Sequence, residues 1–322
     1  MAGSRGYSNY RGRTPPWKVL LIIVLVLVIV GAAGFMILQQ YIVYDAAGAP
    51  HFLLPEKNPT EETPTPDQTE PPIDLTIEGS MEPAATAAVQ LPANPADWQG
   101  AVEGMTAAGQ NAFAVDMKRS GGEVQFASQT PGAALSPTAA AASAALPGLL
   151  HGEQYAIARL SCFRDGAYAA ANVDSAGLKN TGGFLFYDGH NATWLDPGKP
   201  AARAYLCALA KECADMGFEE ILLTDLSYPT AGKLDKIAYG ETMKDQNFAL
   251  FLKEMQAALA GTEAKLSIEL PAAAITDGRD SVAGLLLADL VPMVARIYAP
   301  AATEADAAAL SAAIAALSPD TV

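Results

Sequence analysis

From about residue 84 onward, short apolar runs alternate six times with amphipathic ones, and this alternation restricts the fold more than any other feature of the chain. Ala87–Leu91, Ala112–Met117, Tyr155–Phe163, Phe218–Asp225, Lys265–Leu270 and Leu290–Tyr298 have the near-continuous apolar character of strands buried on both faces. Between them the apolar residues fall at helical spacing. Trp98, Val102 and Met105 form one such stripe; Tyr205, Leu206, Leu209, Cys213 and Met216 form a second; Phe248, Phe251, Leu252, Met255 and Leu259 form a third. Asn94-Pro95, Ser136-Pro137 and Pro200 open helices, Gly109, Gly217 and Gly261 close them, and Thr303-Glu304-Ala305-Asp306 has the form of a capping box. Strand alternating with helix predicts a parallel sheet covered by helices, an α/β fold. A (β/α) barrel of the TIM type and an open doubly wound sheet both satisfy the pattern. The first strand-to-helix turn lacks a glycine-rich phosphate loop, which favours the barrel. Six units rather than eight predict an incomplete barrel with two open edges, unless another segment or a partner chain fills the gap.

Upstream, Val19–Leu38 holds 20 residues with no charged or polar side chain, enough for a helix of about 30 Å, the hydrocarbon thickness of a bilayer. A cleaved leader has a shorter apolar core and a small-residue cleavage site, and neither is present here. Arg5, Arg11, Arg13 and Lys18 precede the run, and the next cation is Lys57. The positive-inside rule therefore predicts a cytoplasmic tail (1–18), a transmembrane helix (19–38) in the lipid bilayer of the cell membrane, and an extracytoplasmic remainder. Residues 41–54 hold two β-rich runs about a Gly-containing turn, a short hairpin. Residues 55–83 begin with a Pro-, Thr- and Glu-rich stretch that cannot bury a core, a linker. Residues 84–322 form the main domain.

Composition excludes several functions. Of 20 basic and 35 acidic residues, four basic and no acidic ones lie in 1–18, so the remainder carries 16 against 35, a net −19. A domain so acidic repels polyanions, and no nucleic-acid partner is expected. The three histidines (His51, His151, His190) have no metal-ligand spacing, and Cys162, Cys207 and Cys213 read as buried small hydrophobes, so no metal and no cofactor are expected. Neither a Walker loop nor a Gly-x-Ser-x-Gly elbow is present.

In parallel α/β folds chemistry collects at the C-terminal strand ends. Those ends carry Asp116, then Arg159 with Arg164 and Asp165, then Asp225 before Tyr228, then Glu269, then Tyr298. Recurrent carboxylates suit glycosidic-bond hydrolysis, in which one group protonates the leaving oxygen and another attacks or activates water. Asp225 is the candidate nucleophile or base, with Asp116 or Glu269 as proton donor. The structural alternative is that these acids cap helices or pair with neighbouring cations, Asp116 with Lys118 or Arg159 above all. Trp194, beside Asp196-Pro197, is either a sugar-stacking platform or a loop plug.

Four segments together resemble a bacterial family of glycoside-hydrolase-like (β/α)8 barrels of largely unassigned activity. Phe113–Lys118 with Gly121, Gly122 and Val124 is similar to its "NAVVIDVKDxxGxV", and Ile157–Asp165 to "IARIVVFKD". Trp194–Pro197 is similar to "WxDP", and Ala210–Ile221 running on to Asp225 and Pro229 to "AKEAxxLGFDEIQFDYIRFP". The resemblance spans about residues 84–300. It implies a barrel acting on cell-envelope or extracellular glycans, with Asp116, Arg159, Trp194, Asp196 and Asp225 at motif positions. Arg159, Trp194, Asp196, Tyr228 and the strand-end Tyr298 are the candidate substrate-binding residues. The family's "FDYIRFP" is here Thr224–Pro229, with an aromatic and an arginine gone. That departure keeps a second expectation open, a catalytically inactive glycan-binding or scaffold protein on a degenerate barrel. A structural subunit of a membrane complex is a third.

Overall fold

A computed structural model describes residues 42–44, 50–52, 88–318 and 321. The chain divides into two units, Met1–Thr76 and Ile77–Val322. In the first, β1 (Ile42–Tyr44) pairs antiparallel with β2 (Pro50–Phe52), Val43 opposite His51, within the segment expected to form a hairpin. The basic tail, the apolar run 19–38 and the linker 55–83 lie outside the described residues. Among the described residues no helix is long and apolar enough to cross a membrane.

The second unit begins with β3 (Val89–Gln90), α1 (Trp98–Ala107), β4 (Ala112–Lys118), β5 (Glu123–Val124), β6 (Ala134–Leu135), α2 (Ala139–Leu150) and β7 (Tyr155–Ser161). It continues with α3 (Gly166–Ala171), α4 (Pro200–Met216), β8 (Glu220–Thr224), α5 (Lys244–Leu259) and β9 (Lys265–Glu269). After α6 (Ala272–Asp277), β10 (Arg279–Asp280), β11 (Leu285–Leu286) and α7 (Leu287–Leu290), it ends with β12 (Arg296–Tyr298) and α8 (Glu304–Ala315). The local signals act where they stand in the sequence. Asn94 Oδ1 accepts the N–H of Ala96 ahead of α1, Gly217 closes α4 at φ +106°, and Thr303 Oγ1 accepts the N–H of Asp306 at the start of α8.

Six strands run parallel as neighbours in chain order, β3–β4–β7–β8–β9–β12. A strictly sequential order is that of a barrel wall, whereas a doubly wound sheet reverses at a switch point. Among the described residues no pairing joins β12 back to β3, so the wall is open rather than closed.

Residue alternation gives the wall two faces. Phe113, Val115, Met117, Ala156, Ala158, Leu160, Ile221, Leu223, Leu266 and Ile268 enter the main core beneath the helices, where the ring of Phe163 meets Phe248 and Phe251 edge-on at 5.6 and 5.0 Å. The opposite face holds a thin apolar layer of Ala114, Ile157 and Leu222, backed by Tyr155 and Tyr298. Toward the N-terminal strand ends, this face carries Glu220 Oε2, which accepts from Tyr155 Oη at 2.8 Å and from Arg296 Nη1 at 2.5 Å. Toward the C-terminal ends it turns polar, and the candidate site lies there.

Candidate functional site

Arg159 and Ser161 project from β7 on the same face as Asp116 of β4 and Glu269 of β9. One guanidinium joins three elements. Arg159 Nη1 donates to Asp116 Oδ1 and to Gln90 Oε1, each at 3.1 Å, and Nη2 donates to Glu269 Oε2 at 2.9 Å. The side chains of Asp116 and Glu269 are 40% and 42% exposed, so this cluster faces water. Asp116 thus takes the ion-pair partner anticipated for it, and Glu269 shares that partner.

Asp225 follows the last residue of β8. Simple alternation would turn it toward the helices. Its backbone is instead left-handed, at φ +50°, a conformation Asp tolerates better than most residues. The turn brings its carboxylate back, and Oδ2 accepts from Ser161 Oγ at 2.6 Å. No cation pairs with Asp225 among the described residues. The register Leu223↔Ile268 puts Asp225 and Glu269 at the C-terminal ends of adjacent strands. Three carboxylates from three strand ends therefore share one end of one face.

Beside Asp225 lies a cavity of about 370 Å³ lined by Arg164, Asp188, His190, Trp194, Asp225, Ser227 and Thr230. Asp188 accepts from the backbone N–H of His190 (2.8 Å) and Ala192 (2.9 Å) and from Trp194 Nε1 (3.0 Å). Burial opposes its ionised form, but these donors and the nearby Arg164 outweigh burial and hold its carboxyl below the usual range. Beneath the site, Lys118 is wholly buried. Its Nζ lies 3.0 Å from Asp165 Oδ2 and donates to the carbonyl of Ser161 at 2.6 Å, fixing the strand end that carries Ser161. Asp165 Oδ1 accepts the N–H of Tyr168 and caps α3.

Three of the expected binding residues play other parts. Trp194 is 6% exposed, and its indole N–H is engaged by Asp188, so it is a wall of the cavity and not an open stacking platform. Asp196 is buried and accepts the N–H of Gly198 at 2.9 Å in the turn that leads into α4. Tyr228 is core: its hydroxyl accepts from Asn247 Nδ2 at 2.9 Å, and its ring packs on Phe248. Tyr298 does stand on the site's face, paired in register with Glu269, and its hydroxyl pKa is pushed upward by burial and then by Glu220. The motif position of Asp225 also needs correction. Gly217–Pro229 matches the family segment from its GF to its terminal P without a gap, which sets the motif aspartate on Thr224 and its tyrosine on Asp225. The left-handed turn restores a carboxylate to the face from one residue further on. Ser161 and Asp188 were not singled out in the sequence, and His190 entered only as a histidine without metal-ligand spacing. Ser161 was accessible as the residue two beyond Arg159 on the same face, and Asp188-Gly189 as a turn.

Burial also pushes the carboxyl of Asp196 upward, although the N–H of Gly198, Lys199 and Arg203 pull the other way. Its ionised form is therefore disfavoured on folding, a cost present above the folded-state pKa and relieved as pH falls through it. Asp196→Asn keeps an acceptor for Gly198 without the charge. It is expected to unfold in urea at pH 7 no earlier than the wild type, with any advantage vanishing below pH 4.

The three cysteines are free and buried, and burial raises each thiol, Cys207 to about 12. Among the described residues no group of three or more His, Cys, Asp or Glu side chains is arranged to hold a metal ion.

Residues 88–301 match the model of a family described as "Putative glycosyl hydrolase domain". No curated protein sequence matches the chain. Among solved structures, the glycoside hydrolase domain of PgaB (BpsB) from Bordetella bronchiseptica is similar over 73% of this chain and 82% of its own, with 15% identity and a TM-score of 0.54. A hypothetical protein from Ruminiclostridium thermocellum is 24% identical over 56% of this chain and 96% of its own, with a TM-score of 0.49. The glycoside hydrolase domain of PelA from Pseudomonas aeruginosa is 15% identical over 72% of this chain and 78% of its own, at 0.39. At these identities the likeness concerns the fold alone, and of the three it is carried by PgaB.

Proposed function

The chain belongs to the family described as "Putative glycosyl hydrolase domain", and on that premise we propose that it is a membrane-anchored glycoside hydrolase acting on envelope or extracellular glycans. The observation that carries this reading is the convergence of Asp225, Glu269 and Asp116 at the C-terminal end of one wet face, beside a cavity. Asp225, with no ion pair among the described residues and oriented by Ser161, acts at the anomeric carbon as nucleophile or as base toward water. Glu269, on the adjacent strand, protonates the leaving oxygen. Asp116 is a further strand away and, with Gln90, steadies Arg159, which positions Glu269.

The test is release of new reducing ends from a panel of bacterial polysaccharides. Wild type is expected to cleave at least one of them, and Asp225→Asn to lower kcat by about 10²–10⁴-fold with unchanged circular dichroism. A non-catalytic glycan-binding role has one observation in its favour, the engagement of both Asp116 and Glu269 by Arg159. Retention of polysaccharide with no turnover on the whole panel would establish that role instead.

The anchor belongs to the same proposal. Residues 19–38 span the bilayer with Arg5, Arg11, Arg13 and Lys18 on the cytoplasmic side. Full-length chain is expected in the membrane fraction, with protease added from outside removing everything beyond the span. A full-length chain in the soluble fraction, or one protected from outside protease, would contradict it.

A further inference from the structure

The long excursion between α3 and α4 forms one wall of the cavity through Asp188, His190 and Trp194. It is pinned along its length. The N–H groups of Leu178, Phe186 and Asp188 donate to the carbonyls of Trp194, Leu178 and Ala192 at 2.8, 2.9 and 3.0 Å, and Phe186 is buried. Its tip is tied to a second loop, with Thr181 N donating to Lys236 O at 2.8 Å and Ala238 N to Lys179 O at 2.9 Å. From this fixed support two aromatic side chains stand out into solvent, Phe184 at 74% exposure and Tyr187 at 60%.

Aromatic rings held out from a hydrogen-bonded backbone are the side chains best suited to the apolar C–H face of a pyranose. Tyr187 precedes the cavity residue Asp188, and its bridge partner Thr193 precedes the cavity residue Trp194. Phe184 lies three residues further out along the same loop. A cavity of about 370 Å³ is near the lower limit for ligand pockets and does not enclose a long oligosaccharide.

We infer that Tyr187 and Phe184 are stacking subsites outside the cleavage site, so that the substrate is a polysaccharide chain running across the rim and not a short terminal sugar. This rests on the glycan-cleaving reading above. A lipid surface is the other partner that exposed aromatics suit, but an exported portion with net charge −19 is repelled by anionic head groups.

The experiment compares wild type, Tyr187→Ala, Phe184→Ala and Tyr187→Trp on a cleaved polysaccharide and on its shortest cleaved fragment. Each alanine variant is expected to raise KM on the polymer about tenfold and to leave kcat/KM on the fragment unchanged, with Tyr187→Trp close to wild type. Equal KM values for all variants on the polymer, or equal losses on polymer and fragment, would overturn the inference. If wild type cleaves nothing, the glycan-cleaving reading fails by itself. Gel retardation in polysaccharide then decides the stacking sites, wild type retarded and both alanine variants released.

Discussion

Lys118→Met is expected to destabilise the domain by about 3–5 kcal/mol, measured as a fall in the urea midpoint at constant slope. Lys118 and Asp165 are both fully buried, with Nζ 3.0 Å from Oδ2. Removing the ammonium leaves a carboxylate enclosed by the core with no compensating charge, and breaking a buried pair from one side is far worse than never having built it. Two carbonyls also lose their donor, those of Ser161 at 2.6 Å and Cys162 at 3.4 Å. Converting Asp165 to Asn in the same chain removes the stranded charge while keeping an acceptor for the N–H of Tyr168, so the double variant is expected to regain part of the loss. A single variant within 1 kcal/mol of wild type would mean that the pair does not hold the end of β7.

Gly122→Ala is expected to cost about 3 kcal/mol through the same carboxylate. Gly122 has φ +104°, where a side chain is strained, and a Cβ there would overlap Asp165 Oδ1 and lie 2.6 Å from its Cγ and 3.1 Å from Ala167 Cβ. Gly121, at φ +100°, has open space around it, so Gly121→Ala carries the backbone strain alone, about 1–2 kcal/mol. The contrast between these neighbours, read by thermal unfolding, separates steric overlap from conformation. Because Lys118 and Gly122 both act on Asp165, their costs are expected to be non-additive in a double-mutant cycle. Additive losses would place the two residues in independent roles.

The fold was legible where local chemistry decides it. Near-continuous apolar runs mark all six parallel strands, and caps such as Asn94, Gly217 and Thr303 mark helix ends that the sequence already implied. Whether the wall closes depends on hydrogen bonds between the first and last strands, and no pattern within a strand encodes that. In the site, the same-face parity of Asp116 and Arg159 and the strand-end position of Glu269 follow from alternation, and these three meet. Asp225 reaches the face through a backbone turn that contradicts alternation, and its partner Ser161 is 64 residues away in the chain. Trp194 and Asp196 misled for another reason. A Trp and an Asp before a proline have the same appearance whether they greet a sugar or seal the entrance to α4, and burial alone distinguishes the two.

The most direct measurement is the structure of Asp225→Asn soaked with an oligosaccharide that the wild type cleaves or binds. A sugar ring in the cavity beside Arg164, with its anomeric carbon facing residue 225 and a glycosidic oxygen within hydrogen-bond reach of Glu269, is the predicted result. A ring seated elsewhere on the domain, with residue 225 still closed onto Ser161 and Glu269 still held by Arg159, would contradict the assignment of this strand-end cluster as the place where glycan is cleaved.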